Sequence, residues 1–196
     1  MITEPPPVTP PFRTTESGAS VHAIVTTRQE IMGIGSHTKP NKGLTDSWIT
    51  PREIVTALGE FDLDPCQCNP QPWKCANDCY TIEEDGLMQP WFGRVWLNPP
   101  YSNAWEWMDR LADHGRGTAL IFARTEVKGF VDQVWRRADA VMFLHGRLFF
   151  HHPDGSRAKG NSGGPSCLVA YGDVDTHRLQ NSGLAGSIVS GWASSL

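Results

Sequence analysis

The heptapeptide Val95-Trp96-Leu97-Asn98-Pro99-Pro100-Tyr101 constrains this chain more than any other stretch. Its three apolar residues read as a buried strand, and the two prolines end it. Proline lacks an N–H and fixes φ, so the backbone leaves the sheet at Asn98 in a rigid, extended turn. Three groups then stand at the carboxyl end of a strand: the Asn98 amide, the Pro99 carbonyl and the Tyr101 ring. In an open α/β sheet this edge is where ligands bind. Two neighbouring acceptors can take both hydrogens of a planar –NH2, and a ring can stack on the plane that carries it. An adenine N6, a cytosine N4 and a glutamine amide all have that form. The plainer reading is an edge strand ending in a Pro-Pro turn beside a packed tyrosine. A second strand end upstream, at Asp64-Pro65-Cys66, favours the ligand site.

The rest of the chain supplies a sheet for that strand. Residues 1–45 are rich in Pro, Thr, Ser and Gly and read as a flexible arm with a short ordered piece around Val21–Val25. Thr50 is a candidate N-cap, with Pro51 at the first helical position and Glu53 completing a capping box. The helix runs from Arg52 to Leu58, with Ile54, Val55 and Leu58 on one face and Gly59 as its stop. Phe61–Asp64, Cys79–Ile82, Gly93–Leu97, Thr118–Ala123 and Ala138–Leu144 read as strands. Asn103–His114 and Val127–Arg137 read as helices between them. Arg147–His152 and Ser166–Gly172 read as a closing antiparallel hairpin at the sheet edge. This alternation implies an α/β domain over 46–174, mostly parallel, with an antiparallel C-terminal hairpin. Residues 175–196 read as a tail with some helical character.

Composition narrows the function classes. No apolar run approaches the roughly 20 residues that span a bilayer, and the N-terminus lacks a secretory signal pattern. A cytoplasmic protein is the expectation. The net charge of −4 argues against an indiscriminate nucleic-acid coat, but the charge is uneven. Between Asp46 and Asn98 nine Asp/Glu face three Lys/Arg; between Arg124 and Lys159 seven Lys/Arg face four Asp/Glu. An acidic first half suits a cationic cofactor and a basic second half suits a polyanion. The five cysteines are Cys66, Cys68, Cys75, Cys79 and Cys167. The C-x-C-x6-C-x3-C spacing of the first four matches no common zinc module, so reduced thiols and no metal are expected.

Taken together, Trp48-Ile49-Thr50-Pro51, Phe61-Asp62-Leu63-Asp64-Pro65-Cys66, Glu84-Asp85-Gly86-Leu87, Trp91–Ser102 with its Asn-Pro-Pro-Tyr, and Gly146-Arg147-Leu148-Phe149-Phe150 resemble the phage and prophage DNA N-6-adenine methyltransferases in order and spacing. The resemblance spans about residues 47–172. It implies a Rossmann-like class I fold that uses S-adenosyl-L-methionine, acting on double-stranded DNA, in a bacterial host cell if phage-encoded. It further implies that Trp48, Thr50, Pro51, Asp64, Pro65, Cys66 and Asp85 surround the cofactor. Asn98, Pro99, Pro100 and Tyr101 would hold the target base. The loop Pro65-Cys66-Gln67-Cys68-Asn69-Pro70 departs from many methyltransferases in lacking a Gly-x-Gly.

A base in duplex DNA must be extruded to meet such a turn. Arg147, Arg157 and Lys159, in and beside a Gly/Ser-rich loop, are the candidate DNA contacts. Two other functions fit the same residues: methylation of a protein glutamine or an RNA base, and a non-enzymatic cysteine-cluster DNA-binding module. The target sequence and oligomeric state are not encoded in any visible pattern.

Overall fold

The computed structural model describes residues 48–193; the expected N-terminal arm lies outside them. Helix α1 (Arg52–Leu58) precedes strand β1 (Leu63–Asp64), followed by β2 (Asp78–Cys79) and β3 (Val95–Leu97). A 3-10 turn, Tyr101–Asn103, leads into α2 (Ala104–His114) and β4 (Gly117–Phe122). Then come α3 (Lys128–Phe130), which continues as a π-helical turn over Val131–Trp135, and β5 (Ala140–Leu144). Strand β6 (Ser166–Tyr171), α4 (Asp173–Gln180) and β7 (Gly186–Ser190) complete the described chain.

All seven strands form one sheet in the order β2-β1-β3-β4-β6-β5-β7. Strands β1 to β4 pair in parallel, whereas β6 runs antiparallel to both β4 and β5, and β7 antiparallel to β5. Side chains alternate across the pleat, so each strand feeds two cores. Val95, Leu97, Ala119, Ile121 and Val169 meet Trp107, Met108 and Leu111 of α2 and Phe130 of α3 on one face. Trp96, Leu120, Leu168 and Ala170 meet Ile54, Val55 and Leu58 of α1 and Leu179 of α4 on the other. Gly115, at φ +71, gives α2 its left-handed stop, with its N–H on the Leu111 carbonyl at 2.9 Å.

Several expectations need correction. Arg147–His152 is not a strand of the sheet; His151 makes only isolated bridges, to Ile49 and to Arg157. Both edges of β6 are taken by β4 and β5, and the free edge of β5 by β7, so no slot remains for it. The antiparallel element is therefore a strand inserted inside the sheet, not a terminal hairpin. The segment after 174 carries most of α4, in keeping with its expected helical character, and also the edge strand β7. The second strand starts one residue earlier than expected and ends at Cys79. The capping box does not form: the Thr50 side chain makes no cap bond, and the Ile54 N–H turns back to the Pro51 carbonyl at 3.0 Å.

Candidate active site

Strand β1 has β2 on one side and β3 on the other, so successive connections diverge from it in opposite directions. Such a switch point opens a crevice at the carboxyl ends of the parallel strands. Asp64 ends β1, and Asn98 directly follows β3. The Cys66 thiol donates to the Asn98 carbonyl at 3.3 Å and draws the two strand ends together.

Asn98 is oriented by the segment that precedes α1. Its Nδ2 donates to the Trp48 carbonyl at 2.7 Å. A carbonyl can only accept, so this bond fixes which end of the amide faces which way. Oδ1 is left to accept, and no described residue donates to it. The same segment carries Thr50, almost wholly buried, with a hydroxyl that meets no partner among the described residues. The Trp73 indole N–H on the Thr50 carbonyl, at 3.2 Å, ties the cysteine-rich loop to this strand entry.

Asp64 is only 4% exposed. Burial raises its carboxyl pKa to about 7, against the opposing hydrogen bonds of the Cys66 N–H and the Gln71 side chain. The Cys66 N–H lies 3.2 Å from Oδ1. Burial beside Asp64 also pushes the Cys66 thiol well up. A buried carboxylate with hydrogen bonds but no counter-charge among the described residues is a site that favours a cation. Asp85 reaches the same strand end by backbone. Gly86 packs so tightly on Pro65 that a Cβ there would sit 1.9 Å from the Pro65 carbonyl oxygen, which requires glycine. Asp85 itself is exposed and takes φ +52, a left-handed conformation that aspartate tolerates better than most residues.

Trp48, whose carbonyl holds the Asn98 amide, also lends its ring to a cavity of about 310 Å³ walled by four rings, those of Trp48, Tyr101, Phe122 and Phe150. The loop residues Ala158 and Gly160 to Gly163 close its other side. Tyr101 already stacks on Phe122, centroids 4.5 Å apart and 11° from parallel, so one of its faces is occupied. Phe122 and Phe150 went unassigned in the sequence. Phe122 is open to recognition, because it ends a central parallel strand at the ligand edge; Phe150 lies in Arg147–His152, which runs outside the sheet.

The candidate DNA residues Arg147, Arg157 and Lys159 are all exposed. The Arg157 guanidinium lies over the Phe149 ring at 4.2 Å, and Lys159 belongs to the loop that closes the cavity. Among the other basic side chains, Lys128 and Arg136 are engaged with Asp132, and Arg137 with Asp109 and Asp113. No disulfide joins the five cysteines, and no cluster of metal-ligating residues occurs among the described residues. No described helix is long and apolar enough to cross a membrane.

Residues 35–182 match the family model described as DNA N-6-adenine-methyltransferase (Dam). A DNA N-6-adenine-methyltransferase of Escherichia phage T1 is 35% identical over 95 residues, which cover 44% of this chain and 39% of that protein. The chain thus matches well under half of that relative's length. No solved structure matches the chain. The family match takes in both strand ends, the Asn-Pro-Pro-Tyr turn and the cavity loop, and on it this chain belongs to the DNA N-6-adenine-methyltransferase family.

Proposed function

We propose that this chain methylates N6 of an adenine extruded from double-stranded DNA, with S-adenosylmethionine as donor, on a Rossmann-like class I fold. The observation that carries the reading is the Asn98 amide, which gives an Nδ2 hydrogen to the carbonyl of Trp48, a residue whose ring walls the cavity, and keeps its Oδ1 without a donor among the described residues. The strand order, with one antiparallel strand inserted between β4 and β5, supports the fold assignment.

The residues present fit the cofactor. Asp64 would take its ammonium, the partnerless Thr50 hydroxyl offers a hydrogen bond within the same crevice, and Pro51, Pro65, Cys66 and Trp48 line the approach. Asp85 would border its nucleoside end. When bound, the cofactor supplies a methyl group on a sulfonium, so the protein need not supply a nucleophile. What the protein must supply is orientation. An exocyclic amine is a weak nucleophile because its lone pair is delocalised into the ring. Hydrogen bonds from N6 to Asn98 Oδ1 and the Pro99 carbonyl favour a pyramidal nitrogen and aim the lone pair. Asn98 is no base; the proton leaves for water after transfer, once the nitrogen is strongly acidic.

Extrusion costs a few kcal/mol, offset in part by stacking worth about 1–3 kcal/mol per base. With Phe122 on one face of Tyr101, the base would use the opposite face or the rings of Trp48 and Phe150. Arg147, Arg157 and Lys159 would meet the flanking phosphates or base edges.

Incubation with methyl-labelled cofactor and DNA, RNA or protein, then sequencing of the modified positions, tests this. Label should appear as N6-methyladenine at a short recurring DNA site. Label on RNA or on glutamine instead, or no cofactor binding by folded protein, would refute it.

A further inference from the structure

The loop that closes the aromatic cavity consists mainly of glycine and alanine, but it carries one amide. Asn161 lines the cavity. Its Oδ1 accepts the Gly163 N–H at 3.1 Å, an Asx turn that fixes the amide's sense. The end left over is Nδ2, a donor with no partner among the described residues. The neighbouring Ser162 has spent its hydroxyl proton on the Gly164 carbonyl at 2.8 Å. Asn98 is set the opposite way, with its donor spent and its acceptor left. The Asn-Pro-Pro-Tyr turn thus keeps an oriented acceptor, and the loop lining the cavity keeps an oriented donor opposite the rings of Trp48, Tyr101, Phe122 and Phe150.

We propose that Asn161 is a specificity-determining residue, whose Nδ2 donates to a ring nitrogen of the extruded base. This rests on the adenine-methyltransferase reading. An amine beside an unprotonated ring nitrogen occurs in adenine and cytosine, and matches an acceptor paired with a donor. Asn161 is exposed; once a base is seated over it and excludes water, guanine N1–H or thymine N3–H would set donor against donor, and the unmet polar groups are costly. Asn161 thus rejects those two bases by mismatch, and the ring walls select for size and stacking.

The test uses the wild-type enzyme, Asn161→Ala and Asn161→Asp on a duplex carrying the site mapped by sequencing. In parallel duplexes the target adenine is replaced by 1-deaza-, 3-deaza- or 7-deazaadenine. Asn161→Asp keeps the Asx acceptor but loses the donor, so a role confined to loop shape predicts near wild-type turnover for it. Our assignment predicts that both variants lose about 10- to 100-fold in kcat/KM, the range of one good base contact, with unchanged cofactor affinity by calorimetry. One of the three analogues should cost the wild type a similar factor and cost Asn161→Ala nothing further. Turnover of Asn161→Ala within twofold of wild type, or losses that multiply for all three analogues, would overturn the assignment alone. A folded wild type that methylates no DNA would overturn the adenine-methyltransferase reading and this inference with it.

Discussion

Two buried carboxylates, Asp175 and Asp64, lie at opposite ends of the same parallel strands and have opposite surroundings. Asp175 is 1% exposed and fully partnered. Arg94, just before β3, reaches it through Nη2 at 2.8 Å and Nε at 3.4 Å, and the Thr118 hydroxyl adds a bond of 3.0 Å. Arg94 is shared out in turn to the carbonyls of Leu58 and Glu60 and lies over the Phe61 ring. This network fastens α4 to the amino ends of β3 and β4. At the carboxyl ends Asp64 has hydrogen bonds from Cys66 and Gln71 but no counter-charge among the described residues, and Asn98 has an unused acceptor; Thr50, before α1, has an orphan hydroxyl. A buried polar network is either satisfied, and then structural, or left open, and then costly unless a ligand completes it. One end of the sheet closes its polar groups on one another; the other leaves them unspent, as the proposed binding edge requires.

The largest effect should come from the closed end. Arg94→Met strips Asp175 of its counter-charge and should cost about 3–5 kcal/mol in denaturant unfolding, because an unpaired buried charge remains. Arg94→Met with Asp175→Leu should recover much of that loss. If the single variant loses under 1 kcal/mol, the closed end is not what the comparison says.

The open end should behave in reverse. Asp64→Asn removes a carboxyl that burial disfavours as an anion, so the ligand-free protein should melt higher at pH 8 while binding the cofactor far more weakly. The pH course follows from a folded pKa of about 7 against 3.8 for the free side chain. Between those values the folded protein keeps a proton that the unfolded chain has lost. Wild-type stability therefore falls as pH rises from about 4 to 7, by at most ~1.4 kcal/mol per unit, and then levels. Asp64→Asn should lack that slope. Cofactor affinity should fall as pH drops below about 7, since the ammonium needs the carboxylate. A wild-type pH–stability curve that superimposes on the variant's would break the contrast.

Thr50→Val keeps the shape and removes the orphan hydroxyl. Stability should hold within about 1 kcal/mol or improve, while cofactor affinity drops severalfold in calorimetry; unchanged affinity would take Thr50 out of the site. The smallest effect concerns the rim. Replacing Arg157 and Lys159 by Ala should make the salt dependence of DNA binding shallower, by roughly 0.9 in log–log slope per lost phosphate contact, and leave the melting temperature alone.

The difference between the two ends also explains what was legible in the sequence. The Asn-Pro-Pro-Tyr turn, the Asp64 strand end and helices α1 and α2 announce themselves through proline chemistry and helical periodicity within a few neighbouring residues. The Arg94–Asp175 pair joins residues 81 apart and has no local signature. Strand β7 has little local signature because Gly186–Ser190 is short, has only two apolar residues, Ile188 and Val189, and follows directly on the turn around Ser182-Gly183. The cavity was only half visible. Tyr101 was evident, but Phe150 lies in Arg147–His152, whose apolar run Leu148-Phe149-Phe150 resembles a strand until tertiary competition for sheet edges decides otherwise, and Asn161 lies in the Gly/Ser-rich loop that follows, where nothing local marks it. The Thr50 capping box was a valid local pattern that lost its hydroxyl to the crevice.

The most direct test of the open end is methyl transfer by Asn98→Ala. Single-turnover transfer to DNA should be measured beside cofactor affinity, with the melting temperature checked because Trp48 also loses a bond. We expect the rate to fall by about 100-fold or more, the scale for removing one aimed hydrogen-bonding group, with cofactor affinity within a few-fold of wild type. Near wild-type transfer by the folded variant would contradict the assignment of Asn98 Oδ1 as the acceptor that holds the target amine.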